Sequence, residues 1–133
     1  MILIGIDPGT HTGYAVWDTH KRSLLRVETM VISRALQAVS EHQFDVCRVI
    51  VEDARLRKWL GTKARESLQG AGSIKRDCSI WQEALEDMDM AHVFRGPAKG
   101  LTKLDAERFR RLTGWQGRTS SHARDAAMLI WNL

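Results

Sequence analysis

The stretch Ile2-Leu3-Ile4-Gly5-Ile6-Asp7-Pro8-Gly9-Thr10 decides how the rest of the chain is read. Its aliphatic residues run without polar alternation, the pattern of a strand covered on both faces near the middle of a sheet. It then closes on an acid and a turn signal, Asp7-Pro8-Gly9-Thr10. Thr12 to Asp18 restarts as a strand with Tyr14, Val16 and Trp17 as packing residues, so the two segments predict a hairpin. Lys21-Arg22-Ser23 turns the chain again, and Leu24 to Ile32 reads as a third antiparallel strand.

Downstream, Ser33 is the candidate N-cap of a helix that runs to Phe44. Asp45 to Asp53, with Val46, Val49, Ile50 and Val51, predicts a fourth strand ending in Glu52-Asp53. Strand, helix, strand is the order of a parallel crossover. Ser73 caps a predicted helix to Met90 whose Ile74, Cys78, Trp81, Leu85 and Met88 keep helical spacing. The other face of that helix, with Asp77, Glu83, Glu86, Asp87 and Asp89, is acidic. Ala91 to Phe94 predicts a fifth strand, and Thr102 caps a helix through Arg111 that Gly114 terminates. Ser121 to Leu133 reads as a final amphipathic helix. The expected architecture is α/β: a mixed five-stranded sheet, three antiparallel strands then parallel additions, flanked by helices in one domain over residues 1–133.

A chain of 133 residues buries roughly 65–70% of its unfolded surface, enough for one core but not for a two-lobed phosphotransferase. Its 20 basic and 16 acidic residues leave a net charge of +4, a mild preference for anionic partners. Arginine outnumbers lysine 14 to 6, which suits planar phosphate recognition. Cys47 and Cys78 lack paired-thiol or metal-ligand spacing, so the sequence reads as reduced and intracellular, with both thiols expected in the interior. The apolar start meets Asp7 too soon for a signal or membrane segment.

Three acids fall at the ends of predicted elements. Asp7 closes the first strand, Glu52 the fourth, and Asp125 lies in the first turns of the last helix. His122 stands three residues before Asp125, so both project from one helical face. Carboxylates that converge repel one another unless a divalent cation sits between them. An oxygen-rich set with one imidazole suits Mg²⁺ or Mn²⁺ better than zinc. Two such ions can activate water and stabilise the leaving oxygen of a phosphodiester.

At these residues the chain resembles RuvC-type Holliday junction resolvases, of the RNase H-like superfamily. The matching blocks are Ile4-Gly5-Ile6-Asp7-Pro8-Gly9-Thr10 with Thr12-Gly13-Tyr14-Ala15, then Val49-Ile50-Val51-Glu52, then Ser121-His122-Ala123-Arg124-Asp125-Ala126. The short turn after Asp7 and the compact chain look more like phage or prophage members. The resemblance implies that Asp7 bridges two Mg²⁺ ions, that Glu52 and Asp125 each help to hold one, and that His122 ligates metal or orients the attacking water. Mn²⁺ is expected to substitute. It further implies a crossover junction endodeoxyribonuclease, acting in the bacterial cytoplasm or phage-encoded in its host, that cuts four-way DNA junctions by paired symmetric nicks. The family's aromatic after the second acid has no direct counterpart, because Asp53-Ala54-Arg55 intervene; Trp59 is the candidate for that part.

Plainer readings stand beside these. Asp7-Pro8-Gly9-Thr10 alone is also an ordinary hairpin turn. Asp53 alternates to the opposite sheet face from Glu52 and reads as a salt-bridge or cap residue. His11, His20, His42 and His92 read as structural, and Trp81, Trp115 and Trp131 as core, with Trp81 alternatively at a dimer interface. Two basic stretches flank the proposed site. Arg55, Arg57, Lys58, Trp59, Lys63, Lys75 and Arg76 come from the first, and Lys99 and Lys103 from the second, as candidate contacts to the DNA backbone. A four-way junction has two-fold symmetry and calls for a homodimer, with the predicted helix Ser73 to Met90 as interface candidate. Two rival functions remain at this stage: a nuclease of the same fold acting on flaps or forks, and a non-catalytic binder of branched DNA.

Overall fold

A computed structural model of the chain describes residues 1–56, 64–97 and 103–133. Five strands form one mixed sheet: β1 (Ile2–Asp7), β2 (His11–Asp18), β3 (Ser23–Val31), β4 (Cys47–Glu52) and β5 (His92–Arg95). Their order across the sheet is β3-β2-β1-β4-β5. β1 pairs antiparallel with β2, and β2 with β3; β4 lies parallel to β1, and β5 parallel to β4. The unalternated run Ile2 to Ile6 therefore occupies the central strand, as its composition requires.

Among the described residues four α-helices cover the sheet: α1 (Ile32–Ser40), α2 (Ala64–Asp87), α3 (Ala106–Thr113) and α4 (Ser121–Met128). Strand alternation sorts the core into two layers. Ile4, Ile6, Tyr14, Val16, Val49 and Val51 meet Ala35 and Val39 of α1 and Trp81 and Leu85 of α2 on one face. Leu3, Ala15, Trp17 and Ile50 meet Phe109 of α3 and Ala123, Ala126 and Ala127 of α4 on the other. Among the described residues no helix is long and apolar enough to cross a membrane.

Several boundaries differ from the sequence reading. Ser33 is not a cap: α1 begins at Ile32 after Val31, with no side-chain cap, and ends at Ser40. Ser73 is no cap either, because α2 starts at Ala64 and carries Ser73 in its interior. Both serines have the right chemistry for a cap, but each helix begins upstream of its serine. The predicted cap Thr102 lies outside the described residues; α3 is capped by Asp105, whose carboxylate accepts from the Arg108 N–H at 2.8 Å, and it ends at Gly114 with φ 75°. The regular helix α4 stops at Met128, capped at its start by Ser120. The fifth strand runs one residue later than expected.

The middle of the apolar stripe of α2 is internal: Trp81 and Leu85 pack on the chain's own sheet and Cys78 is buried, so these three are not available to a dimer interface and Trp81 is core, whereas Ile74 at the start of the stripe is exposed. Cys47 is half-buried rather than buried. Trp115 and Trp131 are partly buried against the α3–α4 layer. His42 keeps a structural role but does have an acidic partner, its Nδ1 lying 2.9 Å from Asp45 Oδ2.

Asp53 turns away from Glu52, as alternation predicts, and is almost fully buried. Arg55 donates to it through Nε (2.8 Å) and Nη2 (2.7 Å), and its backbone N–H adds a third bond at 2.9 Å. The guanidinium also lies 5.6 Å from the Phe94 ring centre. Hydrogen bonds from Arg55 hold the Asp53 carboxyl below its ordinary value of 3.8, against the opposing effect of burial. This pair stabilises the fold while Asp53 is ionised, so its contribution is present above the unfolded carboxyl value and is lost as pH falls through the depressed folded one. Arg55→Ala should therefore cost about 2 kcal/mol at pH 7. In urea unfolding, its deficit relative to wild type should shrink as the pH is taken below 3.8.

Candidate active site

Ile6 of β1 pairs with Val51 of β4, and the next residues, Asp7 and Glu52, end these two parallel neighbours. Asp7 shares a side with Leu3 and Gly5, and Glu52 with Ile50, the face on which α4 packs. Two carboxylates therefore meet at the carboxyl edge of the central strands, on the helix α4 side.

Helix α4 sits unusually low on that face. A Cβ at Gly5 would overlap the Ala126 carbonyl oxygen, and one at Gly13 would overlap the His122 carbonyl and stand 3.1 Å from the Asp7 Cβ. Only glycine at both positions lets the helix backbone rest on the strands. The small Ala123, Ala126 and Ala127 complete the contact. The Thr29 and Ser120 hydroxyls hydrogen-bond to each other, tying the start of α4 to β3.

The consequence is a direct link between helix and strand. His122 Nδ1 lies 3.0 Å from Asp7 Oδ2. With Asp7 ionised, Nδ1–H donates, and the neutral ring keeps a lone pair on Nε2. Asp7 is mostly shielded and His122 half exposed, at 14% and 52% side-chain exposure, so the ring is the part that faces a ligand. Burial pushes the Asp7 carboxyl above its ordinary value; the His122 bond opposes this, the Asp125 charge adds to it, and Lys103 opposes it. Burial likewise raises Asp125, against the attraction of Lys103, His122 and Arg124.

Lys103 thus acts on both carboxylates, and Arg124 helps to put it there. Arg124 Nε donates to the Leu104 carbonyl at 2.9 Å, and Nη1 donates to the Thr119 carbonyl (2.9 Å) and hydroxyl (3.0 Å). One guanidinium holds both the segment entering α3 and the loop leaving it. The sequence offered no signal for this role beyond Arg124's place between His122 and Asp125.

A cavity of 130 Å³ opens at the same strand ends, lined by Asp7 and Glu52 and, from α2, by Ser73, Asp77 and Cys78. Asp77 was read from sequence as part of an acidic face, but it is buried and joins this wall. The overlooked signal was its spacing, three residues after Ile74 and four before Trp81, which places it beside the apolar stripe.

The predicted DNA-contacting residues divide. Lys103 stands at the site. Lys75 and Arg76 are exposed on the α2 turn that carries Ser73 and Asp77. Arg55 is a correction: its guanidinium is committed to Asp53, because the buried carboxylate needs that partner. Arg57, Lys58, Trp59, Lys63 and Lys99 lie outside the described residues.

The donor set fits a hard divalent cation by its chemistry: carboxylates partly withdrawn from water, the Asp125 charge raising the proton affinity of Asp7, with one imidazole. Among the described residues no three such side chains stand close enough to chelate an ion unaided. Mg²⁺ characteristically uses one or two carboxylates, waters and substrate phosphate oxygens rather than a complete protein cage.

No protein-family model and no curated protein sequence matches this chain. Among solved structures it is similar to T. thermophilus RuvC in complex with Holliday junction substrate, with a TM-score of 0.66 over 97% of this chain and 90% of that one. This is the RuvC fold. The identity is 22%, so what RuvC and this chain share at this level is the sheet, its helices and their order. That RuvC-like, RNase H-like α/β architecture is the one expected from the three sequence blocks.

The low seat of α4 makes a stability prediction. Gly13→Ala forces helix and strand apart and should lower stability by about 1–3 kcal/mol in urea unfolding. Gly72→Ala, where an added Cβ meets nothing within 4 Å, should be neutral or stabilising by up to about 1 kcal/mol.

Proposed function

We propose that this chain is a metal-dependent, structure-selective endodeoxyribonuclease that resolves four-way DNA junctions by paired symmetric nicks. The observation that carries the reading is the convergence at one sheet edge: adjacent parallel strands ending in Asp7 and Glu52, with the His122 ring 3.0 Å from Asp7. Likeness in fold to a RuvC solved on a Holliday junction supports branched DNA as the substrate class. Two Mg²⁺ ions, replaceable by Mn²⁺, would supply charge neutralisation at the phosphodiester and acidification of water when bound.

The chain's own residues account for the remaining work. Asp7, Glu52 and Asp125 would hold the cations. Asp7 fixes the His122 ring through Nδ1, leaving Nε2 to orient the attacking water and take its proton. Lys103 offsets negative charge on the phosphate as water attacks phosphorus. The bond to the 3′ oxygen breaks, leaving a 5′-phosphate and, after protonation from solvent, a 3′-hydroxyl. A clustered set of carboxylates repels DNA unless it serves this chemistry, which disfavours a pure binder.

The two-fold symmetry of a four-way junction requires two such sites, hence a homodimer. Its interface cannot use Cys78, Trp81 or Leu85 of α2, which are buried in the chain's own interior.

A labelled immobile four-way junction incubated with Mg²⁺, Mn²⁺ or EDTA tests the reading. Paired symmetric nicks are expected with either metal and none with EDTA. Asp7→Asn should reduce cutting by at least about 100-fold while binding is retained or tightened. Cutting of flaps, forks or linear duplex at rates equal to the junction would reduce the assignment to a general nuclease. Binding without cutting in any metal would identify a structure-specific DNA binder. Sedimentation at micromolar concentration should give a dimer; a monomer with junction bound would refute paired nicking by a preformed pair of sites.

A further inference from the structure

Most arginines among the described residues are already engaged by the protein. Arg26 pairs with Glu28, Arg55 with Asp53, Arg76 with Asp77, Arg108 with Asp105 and Arg111 with Glu107, and Arg124 clamps two loops. The side chains of Arg34, Arg48, Arg95, Arg110 and Arg118 make no hydrogen bond or ion pair among the described residues, and of these Arg110 and Arg118 stand together. Both line one cavity of 280 Å³ between α3 and the loop leading to α4. No carboxylate lines that cavity, and the donors around it outnumber what the protein uses.

The loop wall is closely built: the Trp115 indole Nε1 is buried, and a Cβ at Gly117 would stand 2.9 Å from it. The Thr119 hydroxyl on the same wall already accepts from Arg124, which holds the loop in place. A concave wall with two uncommitted guanidinium groups and no acid suits an anion with several acceptor oxygens.

We infer that the Arg110–Arg118 cavity holds a backbone phosphate of the DNA strand that passes the Asp7–His122 site. The inference rests on the nuclease reading for its choice of DNA over a free anion. Its position supports that choice: Arg118 is four residues before His122, a reach of at most about 14 Å along the chain. At 3.4 Å per nucleotide step, a phosphate held there lies within about four nucleotides of one at His122. The cavity thereby registers the strand on the side of the site opposite α2. Such a contact fixes position and reads no base.

The test is binding of a labelled four-way junction in EDTA across a KCl series, for wild type, for R110Q/R118Q, and for R34Q. Arg34 also has no partner among the described residues but lies on α1, in the other layer of the fold. Loss of the cavity should weaken binding about tenfold or more. It should reduce the slope of log affinity against log salt by about 0.9, one phosphate's worth. R34Q should leave both unchanged. Equal slopes and affinities for R110Q/R118Q and wild type would overturn the inference, as would an equal loss in R34Q, which would mark a non-specific charge effect. Inorganic phosphate is the second probe. If it raises the thermal midpoint of wild type but not of R110Q/R118Q while the DNA slopes coincide, the cavity takes free anion and the DNA assignment is wrong. A matching thermal midpoint without phosphate shows that the double variant is folded, and Lys substitutions at both positions, which keep the charge, should restore most of the slope. Failure to cut any junction in metal, with the slope change intact, would refute the nuclease reading and leave this one standing.

Discussion

The structure depends on how closely helix α4 approaches the central strands. At Gly5 and Gly13 there is no side chain between the helix backbone and the sheet, and any Cβ would collide with the carbonyls of Ala126 or His122. The helix cannot rise by even a methyl's width without carrying His122 away from Asp7. Everything chemical at the sheet edge inherits that constraint: the imidazole–carboxylate bond, the nearness of Asp125, and the loop that Arg124 clamps against α3. Because interiors are close-packed, this kind of contact is either made or lost, with little room between.

Electrostatics then divides neighbouring residues into different roles. Glu52 and Asp53 are adjacent in sequence but fall on opposite faces of β4. Asp53 enters the interior and is neutralised by Arg55, which holds its carboxyl ionised. Burial instead raises the proton affinity of Asp7 and Asp125, the Asp125 charge adds to it at Asp7, and Lys103 opposes it at both. A carboxylate with a built-in partner is part of the scaffold. Carboxylates left in mutual tension, with only partial compensation, are where a cation or a substrate would be gained.

The corrections to the sequence reading share one cause. Ser33 and Ser73 have the right chemistry for caps but lie inside helices that begin upstream of them. Arg55 looked like one of a run of basic residues, yet a buried Asp53 two positions away claimed it. Asp77 looked like one acid among several on a polar face, and helical geometry turned it into the cavity beside Asp7. Charge runs report composition, whereas burial decides which members of a run are free to act.

What the sequence determined by itself was local and periodic. Aliphatic runs ending in Asp7 and Glu52, the hairpin signals around Asp7 and Asp18, and the His122–Asp125 spacing require only strand alternation and helical pitch, which act within a few residues. From these the sheet, the central place of β1 and the meeting of Asp7 with Glu52 follow. The tertiary structure alone decided which arginines are spent and which are free, that Asp77 faces inward, that Trp81 and Leu85 of α2 are core, and that Gly13 and His122 touch across the fold. These are contacts between residues far apart in the chain. Their outcome depends on how closely two elements pack, and no local pattern encodes that distance.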